Sequence, residues 1–461
     1  MLGLLGTEAQ YISRVFEYTP APGQHINSSP WGDGESAASI VGGVNGTLSL
    51  GAFGGQVVFA FEHPVENDPD NPYGVDFTIF GNPLSEWSEP GVVWVMKDEN
   101  ENGEADDSWY QLAGSDYYFS STLHNYLVTY TNPGGTEAAD VSWEDHLGKQ
   151  GIIKANSAHT QSYYPQSELF PNVSAGSYEL MGTLIQGVVD VDHPPQNVSL
   201  RRAFGYADNQ LRGSEPYTLP DNPYTPEVEH SGGDAFDIAW AVDSEGHEVQ
   251  LDKIHFVKVQ SGLLHQGGWL GELSTEITGA VDVSPDPTIS GNLDLLVIED
   301  LPVELDTLSY QLEPILFHQG IAQLLPDITW TSSEPWATVD GTHRLNVEGT
   351  GALTLTATVT NSPGLQASVS TRVVEKLTTA AADGFIDPGI RLYPNPARTS
   401  FRISGVAEGE VTIMDLSGKV LLEAKHIQEG GEIHIEDLTS GIYMVRWKSG
   451  GSSLWLKLLK H

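Results

Sequence analysis

Short runs of Val, Phe, Ile and Trp separated by turn residues set the pattern of the first three hundred positions. "GGQVVFAFEHPV" (Gly54 to Val65), "GVDFTIFGNPL" (Gly74 to Leu84) and "EPGVVWVMKDE" (Glu89 to Glu99) are followed by "GIIKAN", "DAFDIAWAVDSEGHEVQL" and "KIHFVKVQSG". The runs are short and β-favouring, with almost no 3.6-residue period, which predicts an all-β jelly-roll-like sandwich over residues 11–295. "DSEG" (Asp243 to Gly246) reads as a hairpin turn between two of its strands. Trp94 and Trp240 lie inside apolar alternations and read as core.

Residues 296–376 carry a stricter pattern. Leu353, Leu355, Ala357 and Val359 alternate with Thr, the signature of a half-buried strand, and the length suits one small sandwich. "LTTAAADGFIDPGI" (residues 377–390) reads as a linker of small residues closing on Pro-Gly. Residues 391–461 return to short strands with two tight turns, a third compact sandwich.

Composition changes this picture in two ways. Residues 1–390 hold 12 basic and 54 acidic side chains, whereas residues 391–461 hold 9 and 8, so the last block is a separate module. The whole chain has a formal charge of −41, which excludes nucleic acid and anionic membrane surfaces as partners. Cysteine is absent, so neither disulfides nor thiolate metal sites brace the fold. No apolar run reaches the ~20 residues of a transmembrane helix. "MLGLLGTEAQ", residues 1–10, reads as the end of a signal peptide without its basic start, or as a disordered leader.

One acidic stretch has a metal-binding register. Asp98, Asn100, Asn102, Gly103, Asp106 and Asp107 follow D-x-N-x-N-G-x-x-D-D. Alternate oxygen-bearing side chains converge only if the backbone curls around one point, and glycine at the sixth position permits the turn. The carbonyl of Glu104 supplies the seventh-position ligand, but position twelve is Trp109, which excludes an EF-hand and leaves Asp106 or Asp107 to close a Ca²⁺ shell. The competing reading is a solvated acidic turn. A second metal site, from Asp208 and Asn209 in "GYADNQ" with Asp234 and Asp237 in "GGDAFD", needs these groups to meet at one rim of the sandwich. Asp76 and Asn82, at the two ends of "DFTIFGN", are further candidates; taken singly, each reads as a turn or strand-end cap.

Three blocks resemble known families. Trp330, the "TSSEP" bend and "GTGALTLTATV" resemble bacterial Ig-like domains. "LYPNPARTSFRISG", "VTIMDLSGKVL", "IHIEDLTSGIYMVRW" and the closing "SSLWLKLLKH" resemble the C-terminal sorting domain of the type IX secretion system of Bacteroidota. The features that carry it are Pro394, Asn395 and Pro396, the turns at Asp415 to Gly418 and before Gly441, and the terminal Lys457. That resemblance implies export by the type IX machinery to the outer-membrane surface or beyond it. The N-terminal block, through "YISRVFEYTPAPGQHIN", "DFTIFGNPLSEWSEPGVVWVMKDENENGEADDSWYQLAGSDY" and "GGDAFDIAWAVDSEG", resembles cell-surface β-sandwich proteins of Bacteroidota, some encoded beside nutrient or corrinoid uptake systems.

These readings favour a secreted or surface binding protein over an enzyme. Trp87, Trp109, Tyr110 and Tyr163 are candidate rings for stacking on a glycan or a corrinoid, although strands normally bury such rings. Carboxylate pairs such as Glu86 with Glu89 arise by chance among 62 acids, and no H-E-x-x-H, G-x-S-x-G or P-loop occurs. A glycan-active hydrolase and a purely adhesive protein remain the alternatives.

Overall fold

The structure is a computed structural model that describes residues 11–84, 87–185, 199–210, 233–267, 271–283, 290–323, 327–374, 391–393, 397–404, 409–414, 419–428, 431–439, 441–449 and 452–460. The chain divides into two compact units, Met1–Val374 and Glu375–His461. Both are built almost wholly of strands, as the alternation predicts. The leader at residues 1–10 and the linker over 377–390 lie outside the described residues.

The first unit is organised by a seven-stranded antiparallel sheet. Its strands run in the order Arg14–Thr19, Gln56–Ala60, Phe256–Ser261, Gly91–Met96, Trp109–Leu112 and Ala241–Val242, with Tyr206–Ala207 also paired to Gly91–Met96. Alternation sends Val57, Phe59, Val93, Val95, Val257 and Val259 into one buried cluster. Phe77, Ile79, Phe236 and Ala280 complete that cluster from a three-stranded sheet of Asp234–Phe236, Phe77–Phe80 and Gly279–Asp282. The result is a β-sandwich. The turn at Asp243 forms as expected, with the Gly246 N–H donating to the Asp243 carbonyl at 3.0 Å.

A four-stranded sheet covers a second, aromatic core. Gln150–Ile153, Val141–Asp145, Leu123–Thr131 and Ser177–Leu184 pair in that order. Their inward residues Tyr126, Val128, Tyr130, Trp143 and Tyr178 pack with Phe53, Tyr163 and Tyr164. Each buried phenol needs a partner: Tyr130 Oη donates to the Phe53 carbonyl at 2.8 Å and Tyr178 Oη to the Pro20 carbonyl at 2.8 Å.

A third core belongs to residues 296–373. Leu353, Leu355, Ala357 and Val359 are buried along Gly351–Val359, which pairs with Ser362–Val373 in a long hairpin. The strand Leu295–Ile298 serves two cores at once. Leu296 and Ile298 enter this third cluster, while Leu295 and Val297 pack against the cluster beneath the seven-stranded sheet. Its partner strand Pro314–His318 sends Phe317 into that first cluster, edge-on to Phe204 at 5.0 Å between ring centroids. Gly320 (φ +73°) leaves room for Trp240, whose Nε1 donates to the Gln319 carbonyl at 2.9 Å. Arg202 completes the join, its Nη1 lying 2.9 Å from Asp116 and 3.0 Å from Asp300.

The second unit has its own core. Phe401, Ile403, Val411, Ile413, Val445 and Leu458 are buried between a sheet of Arg391–Tyr393, Ser400–Ser404 and Glu432–His434 and one of Val420–Ile427, Gly409–Met414, Gly441–Ser449 and Ser452–Lys460. Gly441 pairs with Lys460 and Met444 with Lys457 along the last hairpin. Pro394, Asn395, Pro396, Asp415 and Gly418 lie outside the described residues.

Candidate functional site

The acidic stretch is the hairpin loop between Gly91–Met96 and Trp109–Leu112, neighbours in the central sheet. Two left-handed residues, Glu101 (φ +58°) and Gly103 (φ +75°), curl it. Asp98 is buried at its root, and its carboxylate accepts from the N–H of Asn102 at 3.2 Å and of Gly103 at 2.8 Å. Asn102 Oδ1 accepts from the Glu104 N–H at 2.8 Å. The amides of Asn100 and Asn102 both turn to Asp106, 3.3 and 3.2 Å from its Oδ1. Asp98, Asn100, Asn102 and Asp106 are thus linked into one cluster, whereas Asp107 turns to the Glu99 N–H at 3.0 Å.

Below the loop, the Asp98 N–H donates to His255 Nδ1 at 3.0 Å, which fixes the imidazole as a neutral acceptor. Burial holds the His255 pKa below its ordinary value. The donor set fits a hard cation: two carboxylates, two amides and the Glu104 carbonyl, all oxygen. Seating an ion requires each asparagine amide to present Oδ1 in place of the Nδ2 that now faces Asp106.

A second carboxylate group lies in the interior of the sandwich. Ligating oxygens of Glu89, Asp208 and Glu276 fall within 4.8 Å of one another. Asp208 (φ +54°) follows the strand Tyr206–Ala207 and accepts from the N–H groups of Asn82 at 2.8 Å and Glu276 at 2.7 Å. Glu89 Oε1 accepts from the Ser274 N–H at 3.0 Å. Burial foremost, then the neighbouring carboxylates, pushes Glu89 and Asp208 well above the usual range; burial raises Glu276 as well, and its carboxyl is hydrogen-bonded to that of Glu89. Three charges at this spacing repel by roughly 3 kcal/mol per pair at an effective dielectric of about 20. The group therefore shares protons or holds a divalent cation.

Of the four residues read as a second metal set, only Asp208 stands in that cluster. Asp234 is close by, its Oδ2 accepting from the Asn209 N–H at 3.0 Å, and burial lifts its pKa to about 7. The Asn209 side chain is spent on structure: Oδ1 accepts from the Arg202 N–H at 2.7 Å and from Ser88 Oγ at 3.0 Å, and Nδ2 donates to the Arg202 carbonyl. Asp237 caps the short 3₁₀ turn Ile238–Trp240 beside Asp76. Sequence reasoning reached Asp208 from its glycine-flanked carboxylate, but nothing local marked Glu89 or Glu276 as its partners.

The candidate rings do not gather. Tyr163 is fully buried in the second core, its Oη accepting from the Asn156 N–H at 3.1 Å. Trp109 and Tyr110 are adjacent on one strand and so face opposite sides of the sheet. Tyr110 packs toward the first core, and Trp109 takes the Lys258 ammonium 4.7 Å from its ring centroid. Lys258 is equally close to Trp94, which is half-buried against a small apolar cluster of Val92, Ile185, Tyr206, Leu263 and Leu273; Trp240 is core. Trp87 is half-buried in a bridge beside Leu84 and Ser199, and Glu86 lies outside the described residues.

A concavity that the sequence did not mark lies on the outer face of the four-stranded sheet. It measures about 760 Å³ and is lined by Thr129, Ser142, Glu144, Gln150 and Glu179, with Leu127 and Ile152 among its apolar parts.

Residues 391–461 match the family described as "Secretion system C-terminal sorting domain". The chain is therefore a cargo of the type IX secretion machinery, secreted or held at the outer-membrane surface. No curated protein matches the chain. Among solved structures, it is similar to dimeric latent PorU from Porphyromonas gingivalis (12% identity, TM-score 0.13, over 73% of this chain and 29% of that one). It is also similar to the S-layer protein rSbsC(31-844) (9%, 0.17, over 89% and 53%) and to extracellular domains 3–5 of Drosophila OTK (14%, 0.15, over 47% and 82%). Among the described residues, no helix is long and apolar enough to cross a membrane.

Proposed function

We propose that the chain is a calcium-stabilised surface binding protein that captures a glycan. The observation that carries the surface assignment is the sorting domain at residues 391–461. Calcium is supported by the loop from Asp98 to Asp106, where carboxylates and amides cluster around a left-handed glycine, and by the absence of cysteine, which leaves cations as the available crosslinks. Glu89, Asp208 and Glu276 offer a second, buried centre for the same ion.

The groove on the four-stranded sheet, where polar side chains stand beside Leu127, Trp143 and Ile152, favours a glycan over a corrinoid. Hydroxyl, amide and carboxylate side chains at Thr129, Ser142, Glu144, Gln150 and Glu179 suit sugar hydroxyls, whereas a flat macrocycle needs a broad apolar or aromatic face. Glu144 and Glu179 both stand exposed to solvent on this open groove, so binding is a better reading of it than hydrolysis. Residues 296–376 then serve as an Ig-like block fused to the head, in the manner of Bacteroidota surface proteins.

Deleting residues 391–461 tests the address. The truncated chain is expected to stay in the periplasm, and normal surface display of it refutes the reading.

A further inference from the structure

The hairpin of Gly91–Met96 and Trp109–Leu112 sends Val93 and Val95 into the first core, so Trp94 leaves the opposite face of the sheet. Trp94 pairs with Gln111 on one side and with Lys258 on the other, which sets the three side chains in one row across neighbouring strands. Cross-strand partners of this kind hold their Cβ atoms about 5 Å apart. Trp109, two residues before Gln111, shares the face, and the Lys258 ammonium lies 4.7 Å from the ring centroids of both tryptophans.

Three donors in this row lack an acceptor among the described residues. Gln111 is 3% exposed, and its Oε1 accepts from Thr183 Oγ1 at 2.7 Å. That hydroxyl makes no other hydrogen bond among the described residues, so it fixes the amide with Nε2 turned away from Thr183. Gln111 Nε2 and Trp94 Nε1 are both buried, and neither donates to anything. The Lys258 ammonium is the third. The acid that acts on it is Glu17, whose Oε1 already accepts from Thr19 Oγ1 at 2.8 Å and Gln56 Nε2 at 3.2 Å. Burial with so little compensation lowers the Lys258 pKa to about 8.

We propose that Trp94 Nε1, Gln111 Nε2 and the Lys258 ammonium hold a chloride ion. A water molecule accepts from two of these donors, but it brings two protons that need acceptors of their own and leaves the ammonium uncompensated. Chloride accepts from all three and cancels the charge. The faces of Trp94 and Trp109 attract the ammonium without neutralising it. Both orphan N–H groups are shielded from solvent, which suits a monatomic ion and excludes a carboxylate or phosphate carried on a larger ligand. The site depends neither on the groove nor on cation binding at Asp98.

The test is chlorine NMR of the full-length chain in sodium and calcium gluconate at fixed ionic strength, titrated with NaCl. The formal charge of −41 keeps adventitious chloride binding low. The wild type is expected to broaden the chloride line saturably. Gln111→Glu sets a carboxylate among the three donors and still accepts from Thr183; it is expected to abolish the broadening and, without chloride, to melt no lower than the wild type. Lys258→Met, which keeps an apolar stem against the rings, is expected to weaken binding at least tenfold; if it fails to fold, Gln111→Glu decides. A wild type without saturable broadening overturns the proposal and leaves a buried water on these donors. Broadening retained in Gln111→Glu or in folded Lys258→Met, or a lower midpoint for Gln111→Glu in gluconate, overturns it as well.

Discussion

Asp234 and Asp237 are three residues apart in sequence but serve opposite ends of one strand. Asp234 Oδ2 holds the Asn209 N–H at 3.0 Å, and Asp237 Oδ1 holds the Ala239 N–H at 2.7 Å. The sandwich therefore carries buried carboxylates at both ends, and their ionisation links its stability to pH.

The pH dependence without cations follows from the direction of these shifts. Burial raises Asp76 and Asp234 to about 7 and Glu272 to about 8. A carboxyl raised in the folded state binds more protons folded than unfolded, so its contribution is intact below the unfolded value and is lost as pH climbs through the folded one. In EDTA, the midpoint of thermal unfolding is expected to fall between about pH 5 and pH 8. A midpoint that rises over that window contradicts the protonation states.

Replacing Glu276 by Gln removes one charge from the trio with Glu89 and Asp208 while keeping a hydrogen-bonding group. In EDTA at pH 8 the variant is expected to unfold at higher denaturant than the wild type, by about 1–3 kcal/mol. In calcium the order reverses, because a ligand is missing. A variant less stable in both conditions rules out like-charge repulsion at this cluster.

Arg202 ties the sandwich to the block that follows. Arg202→Met leaves Asp116 buried without its counter-charge and is expected to cost about 3–5 kcal/mol in urea unfolding. Asp300→Asn, at a side chain 35% exposed, is expected to cost under about 1 kcal/mol. Equal effects would contradict this ranking by burial.

The groove makes its own prediction. Glu144→Ala with Gln150→Ala removes side chains that hydrogen-bond each other at 2.9 Å across the rim. A glycan array probed with the full-length protein is expected to lose its signal in this variant, with the melting temperature unchanged. Retained signal moves the ligand elsewhere.

Contiguity decides what the sequence could reveal. The loop at Asp98 was legible because its side chains follow one another in register with Gly103. The strand Gly351–Val359 was legible because alternation encodes its buried face. Glu89, Asp208 and Glu276 come from three distant stretches, and only the folded sheets bring them together. Asp234 and Asp237 could have been separated beforehand, since an odd spacing along a strand points side chains to opposite faces. Rings were the least legible: Tyr163 and Trp109 both sit among polar neighbours in sequence, yet one is core and the other faces Lys258. Leu295–Ile298 is four apolar residues in a row, the pattern of a strand buried on both faces, but which two cores it joins is visible only in the fold.

The most direct test is the thermal midpoint of the full-length chain in millimolar calcium and in EDTA, for the wild type and for Asp98→Ala/Asn100→Ala. The account predicts a wild-type midpoint lower by many degrees in EDTA, and a smaller difference in the variant because its loop has no ion to lose. A wild-type midpoint that is the same in both solutions contradicts it.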